Sequence, residues 1–266
     1  MLKYELIDNQ KDEWIVFIHG IGGSTKTWKK QVDAFSEHYN LLLLDLPGHG
    51  LHANKIIRKV DAQRLHDGIK KTMDYLNIES AHFVGLSLGT IIIAQFAIFH
   101  PECVKTIIFG GASLKVNGMS KYAVIMANKV KHFVPYKILY KFFAWFLMPR
   151  KHHKKSRSIF LREVVKLNKK TMYAWIEYVQ LILQPEHLFE RLNELKKRIL
   201  VISGEEDHCF IKGAKALTDR IKNTEIQVIE KCGHVCTIEK WSDFNNMALE
   251  FLRTKFSNIE KSHSFT

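Results

Sequence analysis

The chain has 266 residues, 46% of them hydrophobic and 25% charged, with a formal net charge of +13. These values are typical of a globular protein with a full-sized core and exclude a disordered or fibrous chain. The charge is localised, because residues 121–170 contain 14 Lys or Arg and one acid, Glu163, which equals the whole excess.

Strand-like and helix-like segments alternate along most of the chain. Short apolar runs that end at glycine, proline or a turn predict strands buried on both faces of a parallel sheet. Segments of helical length and spacing, Asp61–Leu76 and Leu88–His100, separate some of them, so we predict an α/β fold with a mostly parallel central sheet flanked by helices. The predicted strands are an antiparallel edge strand Leu2–Ile7 and then Trp14–His19, Leu41–Leu46, His82–Gly85, Thr106–Phe109, Arg198–Ser203 and Glu225–Ile229.

The alternation stops between residues 114 and 190, where the chain becomes helical, aromatic and basic. We interpret this segment as a helical cap, or lid, inserted into a core domain made of residues 1–113 and 191–266. The last residues, Lys255–Thr266, resemble a frayed tail.

The chain offers no sign of export or of a membrane span. Met1–Asn9 has one lysine and no long apolar run, which argues against a secretory signal. The longest apolar candidate, Phe133–Met148, contains two lysines and is shorter than the roughly 18 residues that a spanning helix needs. We therefore expect a cytoplasmic protein with reduced thiols. The cysteines are Cys103, Cys209, Cys232 and Cys236.

A serine lies in a motif that is typical of nucleophiles. Residues 85–89 read G-L-S-L-G, a G-x-S-x-G pattern centred on Ser87. It follows a predicted strand and precedes a predicted helix, which is the setting that a nucleophile elbow requires. Glycines at both ends let the chain turn sharply and expose the hydroxyl. The alternative is a tight turn with an incidental serine.

A serine hydroxyl needs an oriented base and an acid behind it. His234 follows a glycine just beyond the last predicted strand, and Asp207 lies directly past the strand before it. Glu205 and Glu206 are rival acids. Cys232 and Cys236 flank His234, so a zinc site is a weaker alternative for that histidine. We predict no metal and no cofactor.

Together these residues resemble the α/β-hydrolase superfamily of serine hydrolases. Residues 19–24, H-G-I-G-G-S, and residues 45–50, D-L-P-G-H-G, are similar to two further motifs of that family. The resemblance covers Leu2–Ser113 and Leu195–Leu252 and implies the order Ser, Asp, His for a catalytic triad. It also implies an oxyanion hole made by the backbone N–H groups of Ile21 and Leu88.

Two features of the chain depart from the family pattern. His52 stands where the family usually has serine, and residues 209–212 read C-F-I-K where proline is common. Both concern the pocket and not the three predicted catalytic residues. Because residue 87 is serine, relatives that use an aspartate nucleophile, such as epoxide hydrolases and haloalkane dehalogenases, are disfavoured.

The cap carries an aromatic block, Tyr136–Met148, followed by a basic block, Pro149–Arg157. The pattern is consistent with a helix packed on the active-site mouth beside a solvated basic loop. It is also consistent with a lid that contacts an anionic membrane from the cytoplasmic side. Nucleic-acid binding is disfavoured because aromatic and basic residues are not interleaved.

An aromatic cap favours a hydrophobic acyl group. We therefore predict a carboxylesterase or lipase-like enzyme that forms an acyl-enzyme on Ser87, with a small acyl ester such as a lysophospholipid or monoacylglycerol as substrate. A thioesterase or C–C bond hydrolase with the same triad, and a non-catalytic ligand-binding protein, remain alternatives.

Overall fold

A seven-stranded sheet forms the centre of the protein. The computed structural model describes residues 1–115, 118–182 and 186–254. The strand order is β1-β3-β2-β4-β5-β6-β7, in which β1 pairs antiparallel with β3 and all other neighbours are parallel. The strands are β1 (Lys3–Ile7), β2 (Trp14–Ile18), β3 (Asn40–Asp45), β4 (Ala81–Leu86), β5 (Val104–Gly110), β6 (Arg198–Gly204) and β7 (Thr224–Ile229).

The central strands are continuous apolar runs because both of their faces are covered. Every residue of β3, β4 and β6 is buried, whereas the edge strands β1 and β7 are mostly half-buried or exposed. Helices α2, α3, α8 and α9 contribute to the apolar cluster on one face, and α1 and α11 to that on the other. The helices are α1 (Lys29–Phe35), α2 (Ala62–Tyr75), α3 (Leu88–Phe99), α4 (Gly118–Val130), α5 (Tyr136–Leu147), α6 (Lys154–Val164), α7 (Lys169–Leu181), α8 (Glu186–Glu194), α9 (Ile211–Thr218), α10 (Cys236–Glu239) and α11 (Trp241–Arg253).

Between β5 and β6 the described residues form five α-helices, α4 to α8. Buried residues of α4 to α7, among them Leu139, Val164 and Met172, form an apolar cluster separate from the two beside the sheet. Helices α7 and α8 also reach the sheet, because Trp175 of α7 and Phe189 and Leu192 of α8 pack into its main cluster. The division into a core domain and a cap over residues 114–190 stays a prediction.

The predicted fold class is confirmed. Each predicted strand and both predicted helices occur within two residues of the expected bounds, and β1 is the antiparallel edge strand. The tail predicted over 255–266 lies outside the described residues. Among the helices that the structure describes, none is long and apolar enough to cross a membrane.

Candidate active site

Ser87 sits in the turn that joins β4 to α3, at the carboxyl edge of the sheet. Its backbone has φ 53° and ψ −118°, a positive-φ conformation that side chains rarely adopt. Such a conformation costs about 1–3 kcal/mol and persists only when its surroundings impose it. Here the Ser87 N–H donates to the Gly110 carbonyl on neighbouring β5 at 3.0 Å. The turn therefore holds the serine at the end of its strand.

The glycines of G-x-S-x-G are required by close backbone packing. A Cβ at Gly89 would lie 2.1 Å from the carbonyl oxygen of Ile18, at the end of β2. A Cβ at Gly85 would lie 2.9 Å from the backbone of Gly89 itself. Because glycine has no side chain at either position, α3 can start directly against β2. Ser87 is thereby brought next to the loop that follows β2.

The three predicted catalytic side chains meet at this edge. The Ser87 hydroxyl donates to Nε2 of His234 at 2.8 Å, and His234 Nδ1 is 2.8 Å from Oδ2 of Asp207. His234 and Asp207 are almost completely buried. A carboxylate on Nδ1 keeps the proton there, which leaves Nε2 free to accept the serine proton. The arrangement can therefore make the hydroxyl nucleophilic.

The rival acids face other partners. Oε2 of Glu206 lies 2.8 Å from Nε2 of His152 and 2.9 Å from Nε2 of His153, both in the turn before α6. Glu205 accepts from the N–H of Lys231 at 3.2 Å. Of the three adjacent acids, only Asp207 is hydrogen-bonded to His234, while Glu206 connects the loop to the helices inserted after β5.

The loop after β2 lies beside the serine, because a Cβ at Gly20 would lie 3.2 Å from that of Ser87. Leu88 is the first residue of α3, so its N–H has no partner within the helix, and it lines the same cavity as Ile21 and Ser87. The loop is held from two sides. The Gly22 N–H donates to Nε2 of His49 at 3.0 Å, and the Tyr140 hydroxyl donates to the Ile21 carbonyl at 2.6 Å.

Residues of the D-L-P-G-H-G segment, 45–50, form hydrogen bonds with this loop. The buried Asp45 carboxylate accepts from the N–H groups of Thr25 and Leu51, each at 2.8 Å. His19 Nε2 accepts from the Leu46 N–H at 3.1 Å. Burial lowers the pKa of His19 and of His49. The neighbouring His19 lowers the pKa of His49 further. Both imidazoles serve as structural acceptors, because the Nε2 atom of each accepts a backbone N–H.

A large apolar cavity opens against the serine. Its empty volume is about 840 Å³, including its open mouth. Its walls come from α3 and from the inserted helices α4 to α7. Apart from Ser87, Ser113, His234 and two tyrosines, every lining residue is apolar. The lining residues are Ile21, Ser87, Leu88, Ile91, Ser113, Val124, Tyr136, Leu139, Tyr140, Phe143, Leu147, Phe160, Met172, Ile176, Val179, Phe210 and His234.

A second, smaller cavity of about 470 Å³ also touches Ser87 and His234. It lies along the glycine-rich loop after β2 and includes Thr27 and Glu163. The two cavities thus share Ser87 and His234, one between the inserted helices and the other beside the loop.

Three residues of the site were missed from the sequence. Phe210 packs on the His234 ring with centroids 4.7 Å apart, at the position where the family pattern differs. Ser113 places its Oγ 3.5 Å from that of Ser87, and Tyr140 contacts the loop after β2. The departure at residues 209–212 was a signal for Phe210, and Tyr140 lies in the aromatic block that the sequence places near the active-site mouth, whereas nothing local marked Ser113.

The zinc alternative at Cys232 and Cys236 finds no support in the geometry. Both ring nitrogens of His234 are engaged by Ser87 and Asp207. The two thiols are buried and point to backbone carbonyls, and burial raises the pKa of Cys236 to about 12. A metal ligand would have to be the thiolate, which this environment disfavours.

Comparisons with known proteins agree with this architecture. The model of the family described as alpha/beta hydrolase fold matches residues 13–240. The chain is 27% identical to a 2-hydroxy-6-oxononadienedioate/2-hydroxy-6-oxononatrienedioate hydrolase of Paraburkholderia phymatum, over 90% of this chain and 87% of that protein. It is 26% identical to a 2-hydroxy-6-oxo-6-phenylhexa-2,4-dienoate hydrolase of Comamonas testosteroni, over 91% and 88%. A solved carboxylesterase structure from Nitrososphaera gargenis superposes with a TM-score of 0.79 at 22% identity, over 94% and 93% of the two chains.

Proposed function

Because the chain belongs to the alpha/beta hydrolase fold family, we propose that it is a serine hydrolase that cleaves carboxylic esters with a hydrophobic acyl group. The observation that carries the proposal is the hydrogen-bonded array of Ser87, His234 and Asp207 at the base of an apolar cavity. The array supplies a nucleophile and the cavity a site for the acyl chain.

In the proposed reaction, Ser87 Oγ attacks the ester carbonyl carbon while His234 Nε2 takes the hydroxyl proton. The negative charge that develops on the carbonyl oxygen is stabilised by the N–H groups of Ile21 and Leu88, and Asp207 stabilises the imidazolium. Collapse of this intermediate breaks the bond to the alcohol oxygen, which leaves with the proton from His234. A water, deprotonated by His234, then hydrolyses the acyl-enzyme to the free acid and restores the serine.

The two cavities support an assignment of the two halves of the ester. The large cavity accepts the acyl chain, since nearly all of its lining is aliphatic or aromatic. The smaller cavity, whose mostly apolar wall also carries Thr27 and Glu163, accepts the alcohol and the hydrolytic water. A lysophospholipid or a monoacylglycerol has these two parts.

A C–C bond hydrolase is the second candidate, and the names of the two sequence relatives favour it. Dioic acid substrates of the kind in the first relative's name carry carboxylates, which require cations or several hydrogen-bond donors. The residues that line the large cavity include no lysine or arginine. This lining favours the ester. A thioester fits the same cavity and differs only in its leaving group.

Labelling by a fluorophosphonate probe tests the nucleophile. We expect the wild-type protein to be labelled and Ser87→Ala to remain unlabelled. Ser113→Ala is the matched control, because it removes a hydroxyl from the same cavity and should keep the label. A folded protein with an intact array that ignores the probe would remove the enzyme hypothesis and leave a ligand-binding role.

A substrate panel tests the bond and the chain length. We expect p-nitrophenyl esters with medium or long acyl chains to be cleaved with higher kcat/KM than the acetate. The matched acyl thioesters and a 2-hydroxy-6-oxo-dienoate would be assayed alongside them. Strict preference for acetate would contradict the apolar acyl site, and faster cleavage of the dienoate would assign the site to C–C bond hydrolysis.

A further inference from the structure

Helix α5 has two apolar faces that point in opposite directions. Leu139, Phe143 and Leu147 line the large cavity from one face. On the other face Phe142 is 64% exposed and Trp145 is 50% exposed. One apolar face is enough to pack a helix against its own protein. The second apolar face of α5 therefore indicates contact with another apolar partner.

The exposed face of α5 carries several large apolar side chains. Ile138, Phe142 and Trp145 are spaced by four and three residues, so they lie on one side of α5. Ile138 is 59% exposed, and Phe133, just before the helix, is 88% exposed. Single exposed apolar side chains are ordinary, but a cluster of large ones marks a contact surface. We call these four residues the α5 stripe.

Exposed cations lie on α5 and follow it closely in the chain. Lys137 and Lys141 are exposed on the same helix, and four further exposed cations follow it at positions 150, 151, 154 and 155. The only acid between residues 121 and 170, Glu163, bonds with Lys166 and the hydroxyl of Ser24. Few acids within this segment are therefore available to neutralise the cations near the stripe.

We propose that the α5 stripe and its neighbouring cations form a docking surface for an anionic lipid bilayer. Aromatic and aliphatic side chains enter the boundary between headgroups and acyl chains, while lysines and arginines beside them bind the anionic headgroups. The contact is peripheral, because no described helix is able to span a bilayer. A nucleic acid would be bound by the cations but would leave the stripe exposed to water.

Docking through α5 joins the surface to the candidate active site, since the other face of the same helix lines the acyl cavity. Acyl esters dissolved in the bilayer are then the substrates that reach Ser87. This supply of substrate rests on the proposed hydrolase function, whereas the docking itself requires no chemistry at Ser87.

Vesicle co-sedimentation tests the docking. The full chain is mixed with vesicles of phosphatidylcholine alone or of phosphatidylcholine with phosphatidylserine. We expect binding only with phosphatidylserine, weakened at high salt because the screening length shortens. Phe142→Glu should weaken binding by about tenfold or more, and Lys137→Gln or Lys141→Gln by about fivefold each.

The matched control is Tyr75→Glu, which also replaces one exposed aromatic residue by an acid. Tyr75 ends α2, at the opposite edge of the sheet from Ser87, and is 67% exposed. It should bind vesicles like the wild type. Ser87→Ala should also bind fully, which separates docking from catalysis. Equal binding to both vesicle types, self-association abolished by Phe142→Glu, or binding to nucleic acid in place of vesicles would overturn the proposal.

Discussion

The hydroxyl of Tyr140 offers a sharp test of how the inserted helices support the proposed oxyanion hole. Tyr140 is 5% exposed, its ring stacks on Phe160 with centroids 4.8 Å apart, and its hydroxyl donates to the Ile21 carbonyl at 2.6 Å. Tyr140→Phe deletes this hydrogen bond and leaves the stacked ring in place. The peptide between Ile21 and Gly22 then loses its hydrogen bond to α5.

The expected loss of kcat follows from the hydrogen bond that Tyr140→Phe removes. Leaving a fully buried carbonyl unsatisfied costs about 1–3 kcal/mol of stability, and the half-buried Ile21 lies at the lower end of that range. Complete loss of an oxyanion donor costs about 3–4 kcal/mol in the transition state. Tyr140→Phe loosens Ile21 without removing its N–H, so we expect a loss of about 1–2 kcal/mol, or roughly 5- to 30-fold in kcat. KM should change little, because the ring still lines the acyl cavity.

Tyr136→Phe is the matched control for this prediction. Its hydroxyl also donates to a carbonyl, that of Leu167, at 3.0 Å, and its ring lines the same cavity without touching the loop after β2. Urea unfolding should show comparable destabilisation of both variants. In steady-state assays with one ester, only Tyr140→Phe should lose kcat. Equal kcat values for the two variants would refute the link between α5 and the oxyanion loop.

Three further predictions concern the acid, the elbow and a buried histidine. Asp207→Asn should lower kcat by about 10⁴-fold by favouring the wrong imidazole tautomer, whereas Glu205→Gln should keep wild-type kcat; equal losses would contradict the assigned acid. Gly89→Ala should unfold the protein or destabilise it by several kcal/mol in urea, because its Cβ would lie 2.1 Å from a carbonyl oxygen, while Gly118→Ala, with no atom within 4 Å, should not. Burial and then a neighbouring histidine lower the pKa of His66 to about 4, so the folded state resists protonation that the unfolded state accepts. Stability should therefore fall by about 3 kcal/mol as the pH drops from about 6.5 to 4, and His66→Leu should lose less over that window in urea titrations; an unchanged pH dependence would count against this assignment.

The sequence by itself determined the fold class and the order of the site residues, because each depends on local backbone requirements. Strands buried on both faces must be apolar throughout, and the elbow at Ser87 leaves no room for a side chain at Gly89. Asp207 and His234 were predictable because they follow β6 and β7, and the carboxyl ends of parallel strands meet at one edge.

Only the tertiary structure decided what those residues contact. Glu206 and Asp207 are adjacent and chemically similar, yet one turns to His152 and His153 and the other to His234. Likewise, Tyr140 reaches the loop after β2 from a position 119 residues away in the chain. Such contacts depend on how the inserted helices pack against the edge of the sheet, and that packing involves side chains with no fixed spacing in sequence.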